Sequence, residues 1–216
     1  MVLRVDEASV QADTSTFLDD LAALAEALIR PVVVAPEPAA ARHIVRAINR
    51  STNTAVKLSG SDAAMLPHAP GGIGRIQTGI LTTLLDAGYV PVIEPTGFSV
   101  FAQGDAPLMA DEVAGALALA MEAVRAIFFH ASGGVPDPQT DALIAELTPS
   151  EALELAQDAR VAEDLRDVIR VAALGVRGGL PVAQILDGRI PHATIVELLT
   201  SQHVGTRVTG SVTLAA

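Results

Sequence analysis

Asp111, His130, Arg4 and the run Ser59-Gly60-Ser61-Asp62 are the residues whose types and positions could do chemistry. His130 follows the apolar run Ala126-Ile127-Phe128-Phe129, so it stands at the carboxyl end of a predicted strand, where open α/β sheets bind ligands. It is the best-placed candidate for a polar contact with a ligand. Asp111 opens a long apolar stretch, where it reads either as a cleft carboxylate or as a first-turn acid favoured by the positive end of a helix. Gly60 and Ser61 could hold a ligand, yet a Gly-Ser-Asp run after a strand is also ordinary turn chemistry. His68, His130 and His192 show no i,i+3 or i,i+4 pattern of the metal-binding kind, so no metal site is expected. Ammonium chemistry has a single candidate, because Lys57 is the only lysine in the chain.

The composition narrows what such residues could act on. A formal charge of −11 argues against attraction to phosphate backbones or anionic lipid, so neither nucleic acid nor a membrane surface is an expected partner. The chain has no cysteine, which excludes disulfides, thiolate catalysis and cysteine metal sites. No leader-like start and no run of about 18 apolar residues is present, and a cytoplasmic location is expected. With 216 residues and a hydrophobic fraction of 50%, the chain can bury one sizeable core. Aromatics make up only 3%, so the packing must be small and aliphatic, and such chains often hide further apolar area in homo-oligomer interfaces.

Helices and short apolar strands alternate along the sequence. Helices are predicted over Phe17–Ile29, Ala39–Asn49, Thr78–Ala87, Asp111–Val124 and Ala193–Leu199, with two more between Thr148 and Val176. One of these starts at the capping signal Thr148-Pro149-Ser150-Glu151. Asp13 and Thr14 stand ahead of the first helix as capping residues. Strands are predicted over Pro31–Ala35, Ala55–Leu58, Tyr89–Ile93, Ala126–Phe129, Val182–Leu186 and Gly205–Val212, those at Pro31–Ala35 and Tyr89–Ile93 reading as buried runs of the parallel type. Pro67–Gly74, rich in Pro and Gly, is expected to be a loop. The pattern is that of an α/β three-layer αβα sandwich with a mainly parallel central sheet, in one domain spanning 1–216.

Asp187-Gly188-Arg189-Ile190-Pro191-His192-Ala193, then Val196-Glu197-Leu198-Leu199-Thr200 and Val204-Gly205-Thr206, resemble the C-terminal signature of N-acetylglutamate kinases, of the amino acid kinase family. Leu58-Ser59-Gly60-Ser61-Asp62 is similar to the family's L-S-G-K-D, and Gly88-Tyr89-Val90-Pro91-Val92-Ile93 to its G-Y-I-P-V-I strand. Ala110-Asp111 with Ala114-Gly115 matches its A-D-x-x-A-G helix. The likeness implies the carbamate kinase-like fold and a kinase for the carboxylate of N-acetylglutamate, on the route to arginine. Between Pro38 and Arg46 the family has several tens of additional residues, so the substrate lid is expected to be missing.

Measured against that resemblance, the phosphate-binding devices are altered. The family's K-x-G-G bend falls on Arg4-Val5-Asp6-Glu7, which places Arg4 as a substitute cation and puts two carboxylates where glycine amides would meet phosphate. Its H-G-G-G-P bend falls on Ala35-Pro36-Glu37-Pro38-Ala39, where prolines remove donors and Glu37 adds repulsion. N-x-N-A-D falls on Pro107-Leu108-Met109-Ala110-Asp111, keeping only the aspartate, and T-D falls on His130-Ala131. The family's final lysine aligns with Val168. Where arginine-sensitive relatives hold their inhibitor, the matching positions are Gln184, Glu197 and His203, so only the acid remains.

Two functions follow from different classes. One is a non-catalytic binding, regulatory or scaffold subunit, paired with itself or with an active kinase paralogue, and needing no cofactor. The other is a working kinase with a rebuilt phosphate site, which would require ATP and magnesium. A different reaction centred on Asp111 and His130 is a third option, for which fold alone gives no licence.

Overall fold

The computed structural model describes residues 1–11, 16–50, 52–69, 71–99, 104–200 and 204–210. The capping residues Asp13 and Thr14, the effector position His203 and the predicted strand end at Val212 lie outside them.

Short runs of β-branched and aliphatic residues form the strands of the main sheet. They are β1 (Val2–Arg4), β2 (Val32–Val34) and β3 (Ala55–Ser59) in the first part of the chain. A small sheet takes β4 (Pro67–Ala69), β5 (Gly72–Ile73), β7 (Thr96–Ser99) and β8 (Asp105–Pro107), while β6 (Val90–Glu94) belongs to the main one. Further on come β9 (Ala126–Phe129), the paired β10 (Val135–Pro136) and β11 (Leu143–Ile144), then β12 (Glu146–Leu147), β13 (Val182–Leu186) and β14 (Thr206–Thr209). The eight-stranded sheet has the order β12-β14-β13-β9-β1-β2-β6-β3. Every neighbouring pair in it is parallel except β13 with β14.

Strand alternation splits the core in two. Val2, Val34, Ile93, Phe128 and Ile185 face α4 (Gly79–Asp86), α5 (Ala110–Ala120) and α7 (Glu163–Arg177). Leu3, Val33, Val92, Ile127 and Phe129 face α2 (Phe17–Glu26), α3 (Pro38–Ile48) and α8 (Ala193–Leu199). Two short helices, α1 (Glu7–Gln11) and α6 (Pro149–Leu155), complete the set among the described residues. The Phe17 ring stands edge-on to Phe129 at 4.7 Å between centroids, pinning α2 to the sheet. On the other face, a Cβ on Gly115 would come within 2.6 Å of Val171 Cγ1, so α5 and α7 approach this closely only because residue 115 lacks a side chain. Among the described residues no helix is long and apolar enough to cross a membrane.

The αβα architecture is as the sequence predicts, and the strands over Ala126–Phe129 and Val182–Leu186 match residue for residue. The Thr148 cap also forms: the Glu151 backbone N–H donates to Thr148 Oγ1 at 3.3 Å, and the Thr148 N–H donates to Glu151 Oε2 at 2.8 Å.

Two expectations need correction. Pro67–Gly74 is not a plain loop. His68 and Ala69 pair antiparallel with Ile73 and Gly72, and Pro67 is tolerated because it stands at the first position of its strand, where no N–H is required. The helices expected to reach Ile29 and Val124 stop at Glu26 and Ala120. Each is closed by a left-handed residue, Leu28 at φ 63° and Glu122 at φ 48°. The following amides bond back to the helix, Ile29 N–H to Leu24 O at 2.8 Å and Ala123 N–H to Ala118 O at 2.9 Å. This is the Schellman closure, and α4 and α7 end the same way at Gly88 and Gly179.

An L-residue held left-handed is destabilising by about 1–2 kcal/mol, partly offset here because glycine loses more backbone entropy on folding. Leu28→Gly and Glu122→Gly, both at exposed positions, are each expected to stabilise the protein by about 0.5–1 kcal/mol. A higher urea midpoint at unchanged m-value is the signature, and a lower midpoint refutes the strain argument.

Candidate functional site

Because β1, β2, β3, β6, β9 and β13 run parallel, their carboxyl ends share one edge of the sheet. Arg4 ends β1, His130 follows β9, and Asp111 stands in the first turn of α5 above them. Together with Asp6, Glu7, Met109, Asp164 and Asp167 they line a cavity of about 340 Å³. Three of the sequence-nominated residues therefore meet in one place.

Arg4 is turned inward. Its Nη1 donates to Phe129 O at 3.0 Å and its Nη2 to Asp111 Oδ2 at 3.2 Å, while Nε lies 2.6 Å from Asp111 Oδ1. That shortest contact is an ion pair whose N–H is not aimed at the oxygen, so neither atom gains an aligned hydrogen bond from it. The Arg4 and Asp111 side chains are 15% and 9% exposed. Burial pushes the Asp111 carboxyl above the usual carboxylate range, Arg4 pulls it back, and the net direction is upward. The folded chain thus holds this proton more tightly than the unfolded chain, and ionising Asp111 costs stability as pH rises through its folded value.

His130 receives the Ser132 backbone N–H on Nδ1 at 3.1 Å, which assigns the ring proton to Nε2, 3.2 Å from Asp164 Oδ2. The Ser132 hydroxyl, 2.9 Å from Nδ1, donates to Gly134 O at 2.6 Å. Its proton is therefore committed away from the ring, and the Ser-His-Asp alignment lacks an activated nucleophile.

The two phosphate-bend positions can be tested for fit to a nucleotide. At the first, Asp6 accepts the Ser9 backbone N–H at 3.0 Å and also the Ser9 hydroxyl, so the first turn of α1 is capped from within the chain. The Val5 amide is spent on Val34 O. At the second, Pro38 begins α3, the Ala35 amide donates to Ile93 O, and exposed Glu37 fills the N-cap position without a side-chain cap. Lys57 is paired with Glu94 at 2.5 Å. These groups do not fit a triphosphate with its metal: carboxylates stand at the first bend, prolines remove donors at the second, and the lysine is paired.

Gly60 and Ser61 lie at the end of β3, apart from the cavity lining. Ser59 Oγ is 2.9 Å from both Ser61 Oγ and Thr96 Oγ1, and Ser61 Oγ donates to Asp105 Oδ2 at 3.2 Å. A Cβ on Gly60 would collide with Thr96 O, so the glycine permits β3 to meet the small sheet. Glu197, 2% exposed, is elsewhere again: it accepts from Gln184 Nε2, from Arg125 Nη1 at 3.3 Å and from the Val204 N–H at 2.8 Å. Asp164 and Asp167 were not singled out from sequence. Their only signal was an i,i+3 pair of acids near a helix start, which dipole preference explains equally well.

Breaking a buried ion pair by removing one partner is typically destabilising by about 3–5 kcal/mol, whereas an apolar pair of similar volume is near neutral. Arg4→Met and Asp111→Leu are therefore each expected to cost about 3 kcal/mol, and the double substitution much less than their sum. Without Arg4, the Asp111 carboxyl is pushed further up, so Arg4→Met should lie nearest wild type at about pH 4 and fall behind as pH rises. Urea midpoints between pH 4 and 8 check both statements. Additive losses, or a gap that narrows with rising pH, count against the pairing.

Residues 19–185 match the model of the amino acid kinase family. Acetylglutamate kinase of Synechococcus sp. (strain CC9605) is 33% identical over 180 residues, covering 78% of this chain and 61% of the relative. That of Trichodesmium erythraeum (strain IMS101) is 34% identical over 179 residues, covering 77% and 61%. The chain thus spans about three-fifths of the length of these relatives. Among solved structures, N-acetylglutamate synthase from Neisseria gonorrhoeae, complexed with coenzyme A and N-acetyl-glutamate, superposes with a TM-score of 0.84 at 20% identity. The match covers 97% of this chain and 59% of that one. Carbamate kinase from Giardia lamblia bound to citric acid gives a TM-score of 0.68 at 13% identity, covering 96% and 97%. Sequence and fold agree: the chain belongs to the amino acid kinase family and is acetylglutamate kinase-like.

Proposed function

We propose that this chain is a non-catalytic member of its family, acting as a binding, regulatory or scaffold subunit rather than transferring a phosphoryl group. The observation that carries this reading is Asp6, whose carboxylate takes the Ser9 amide at the end of β1. Phosphoryl transfer depends on donors and cations left free to surround the moving group. Here carboxylates occupy the first bend, prolines the second, and both Arg4 and Lys57 are paired with carboxylates. The proposed assembly is a homo-oligomer or a complex with an active kinase paralogue. No cofactor enters this reading.

The alternative, an active kinase for N-acetylglutamate or a related acidic substrate, draws on the retained Asp111 and on the names of the relatives. One pair of measurements separates the two. A ligand at 100 times its Kd stabilises a native protein by about 2.7 kcal/mol, or roughly 5–10 °C in a domain of this size. Millimolar Mg-ATP, alone and with N-acetylglutamate, is expected to move Tm by less than about 1 °C, and coupled assay of the pure chain should release no ADP. A shift of several degrees with ATP, or steady ADP release dependent on N-acetylglutamate, overturns the proposal.

A further inference from the structure

The segment from Asp187 to His192, between β13 and α8, is a strap that touches three other parts of the molecule. Gly188 lies against Ser9 of α1 so tightly that a Cβ there would collide with the serine hydroxyl. Arg189 Nη2 donates to Ala131 O at 2.8 Å, gripping the loop that carries His130 into the cavity, and pairs with Asp187 at 2.7 Å. His192 closes the strap on α2: its N–H donates to Thr16 Oγ1 at 2.8 Å, and its Nδ1 lies 2.7 Å from Asp20 Oδ1.

Asp20 is 2% exposed, whereas the His192 side chain is 58% exposed. A carboxylate so deeply placed needs a counter-charge, and the one supplied comes from a ring open to solvent. His192 also sits at φ 58°, a left-handed conformation that costs a non-glycine residue energy unless its contacts hold it there. The charged groups acting on Asp20 are His192 from the strap and Asp19 from its own turn. Glu7 of α1, His43 of α3 and the flanking Glu37 and Arg50 line a separate cleft beside Asp19, and Glu197 of α8 is turned to Arg125 and Gln184.

We infer that His192 and Asp20 form a proton-dependent clasp that fastens the strap, and with it the His130 loop, at mildly acidic pH and loosens it as pH rises. An imidazole changes charge within the physiological range. When the ring is cationic, strap and α2 are held by an ion pair. When it is neutral, the buried carboxylate keeps a hydrogen bond but no counter-charge. Burial raises the Asp20 carboxyl and the ring lowers it, so at the acid end the clasp is limited by protonation of Asp20 itself. This regulation goes beyond the functional reading above and holds whether or not the cavity serves catalysis.

Amide hydrogen exchange of the full chain between pH 5.5 and 8.5, corrected for intrinsic rates, reads the clasp directly. Protection over residues 187–199 is expected to fall about tenfold across that range, the scale of one hydrogen bond to a charged group, while β1 and β9 stay constant. His192→Asn, which keeps a donor without a titrating charge, should show weak protection at every pH. Asp20→Asn, which removes the buried charge with little change of shape, should remain protected with no pH dependence. A flat profile in wild type, or a tenfold fall that survives in His192→Asn, overturns the inference. If either variant fails to fold, an NMR titration of the wild-type His192 ring decides. A transition coincident with the loss of protection supports the clasp, and one displaced from it by more than about one pH unit rejects it.

Discussion

Asp111, buried in the first turn of α5, is held by the guanidinium of Arg4, and that pairing ties the centre of the sheet to the helix covering it. β1 lies between β2 and β9, so the last residue of β1 is the point where the two halves of the sheet and α5 converge. An arginine there can reach Phe129 O on one neighbour and Asp111 on the helix above. Its charge is thereby used for cohesion. The cavity beside it is left with Asp6, Glu7, Asp164 and Asp167 around His130, an environment that repels anions.

That inversion explains how a member of a kinase family can keep its fold while its phosphate devices change. The packing that specifies the architecture sits elsewhere: Phe17 on Phe129, Gly115 against Val171, and strands whose alternate residues feed two separate cores. None of these contacts uses a glycine-loop amide. The bend after β1 can therefore wind into α1 with Asp6 as its cap, because an internal carboxylate satisfies the same positive helix end that an external anion otherwise would.

How much was legible in the sequence depends on how local the determining physics is. Buried parallel strands read as short apolar runs, unbroken over Ala126–Phe129 and interrupted only by Gln184 over Val182–Leu186, which is why both could be placed to the residue. Helix ends followed by Gly88 and Gly179 were legible to within one residue, predicted at Ala87 and Val176 and found at Asp86 and Arg177. Those at Leu28 and Glu122 were not, since neither side chain announces a left-handed backbone and only the Schellman hydrogen bonds hold it. The strands of the small sheet are two to four residues long, below the length at which alternation is visible.

The site was legible as a set of positions but not as a set of relationships. Arg4, Asp111 and His130 could be nominated from strand and helix ends, because parallel topology gathers such ends on one edge. Their partners are distant in sequence: Arg4 meets Asp111 across 107 residues, and His130 meets Asp164 across 34. Glu197 illustrates the same limit, since its network draws on Arg125 and Gln184, 72 and 13 residues away. A charge that looks available in a sequence is available in the protein only if no opposite charge is folded against it. Here long-range pairing has engaged Arg4, Lys57 and Arg125 with carboxylates. With a net charge of −11, acids outnumber the cations that could neutralise an incoming phosphate. The fold is thus consistent with its relatives, while the electrostatics of its carboxyl edge follow from which charges are paired across the fold.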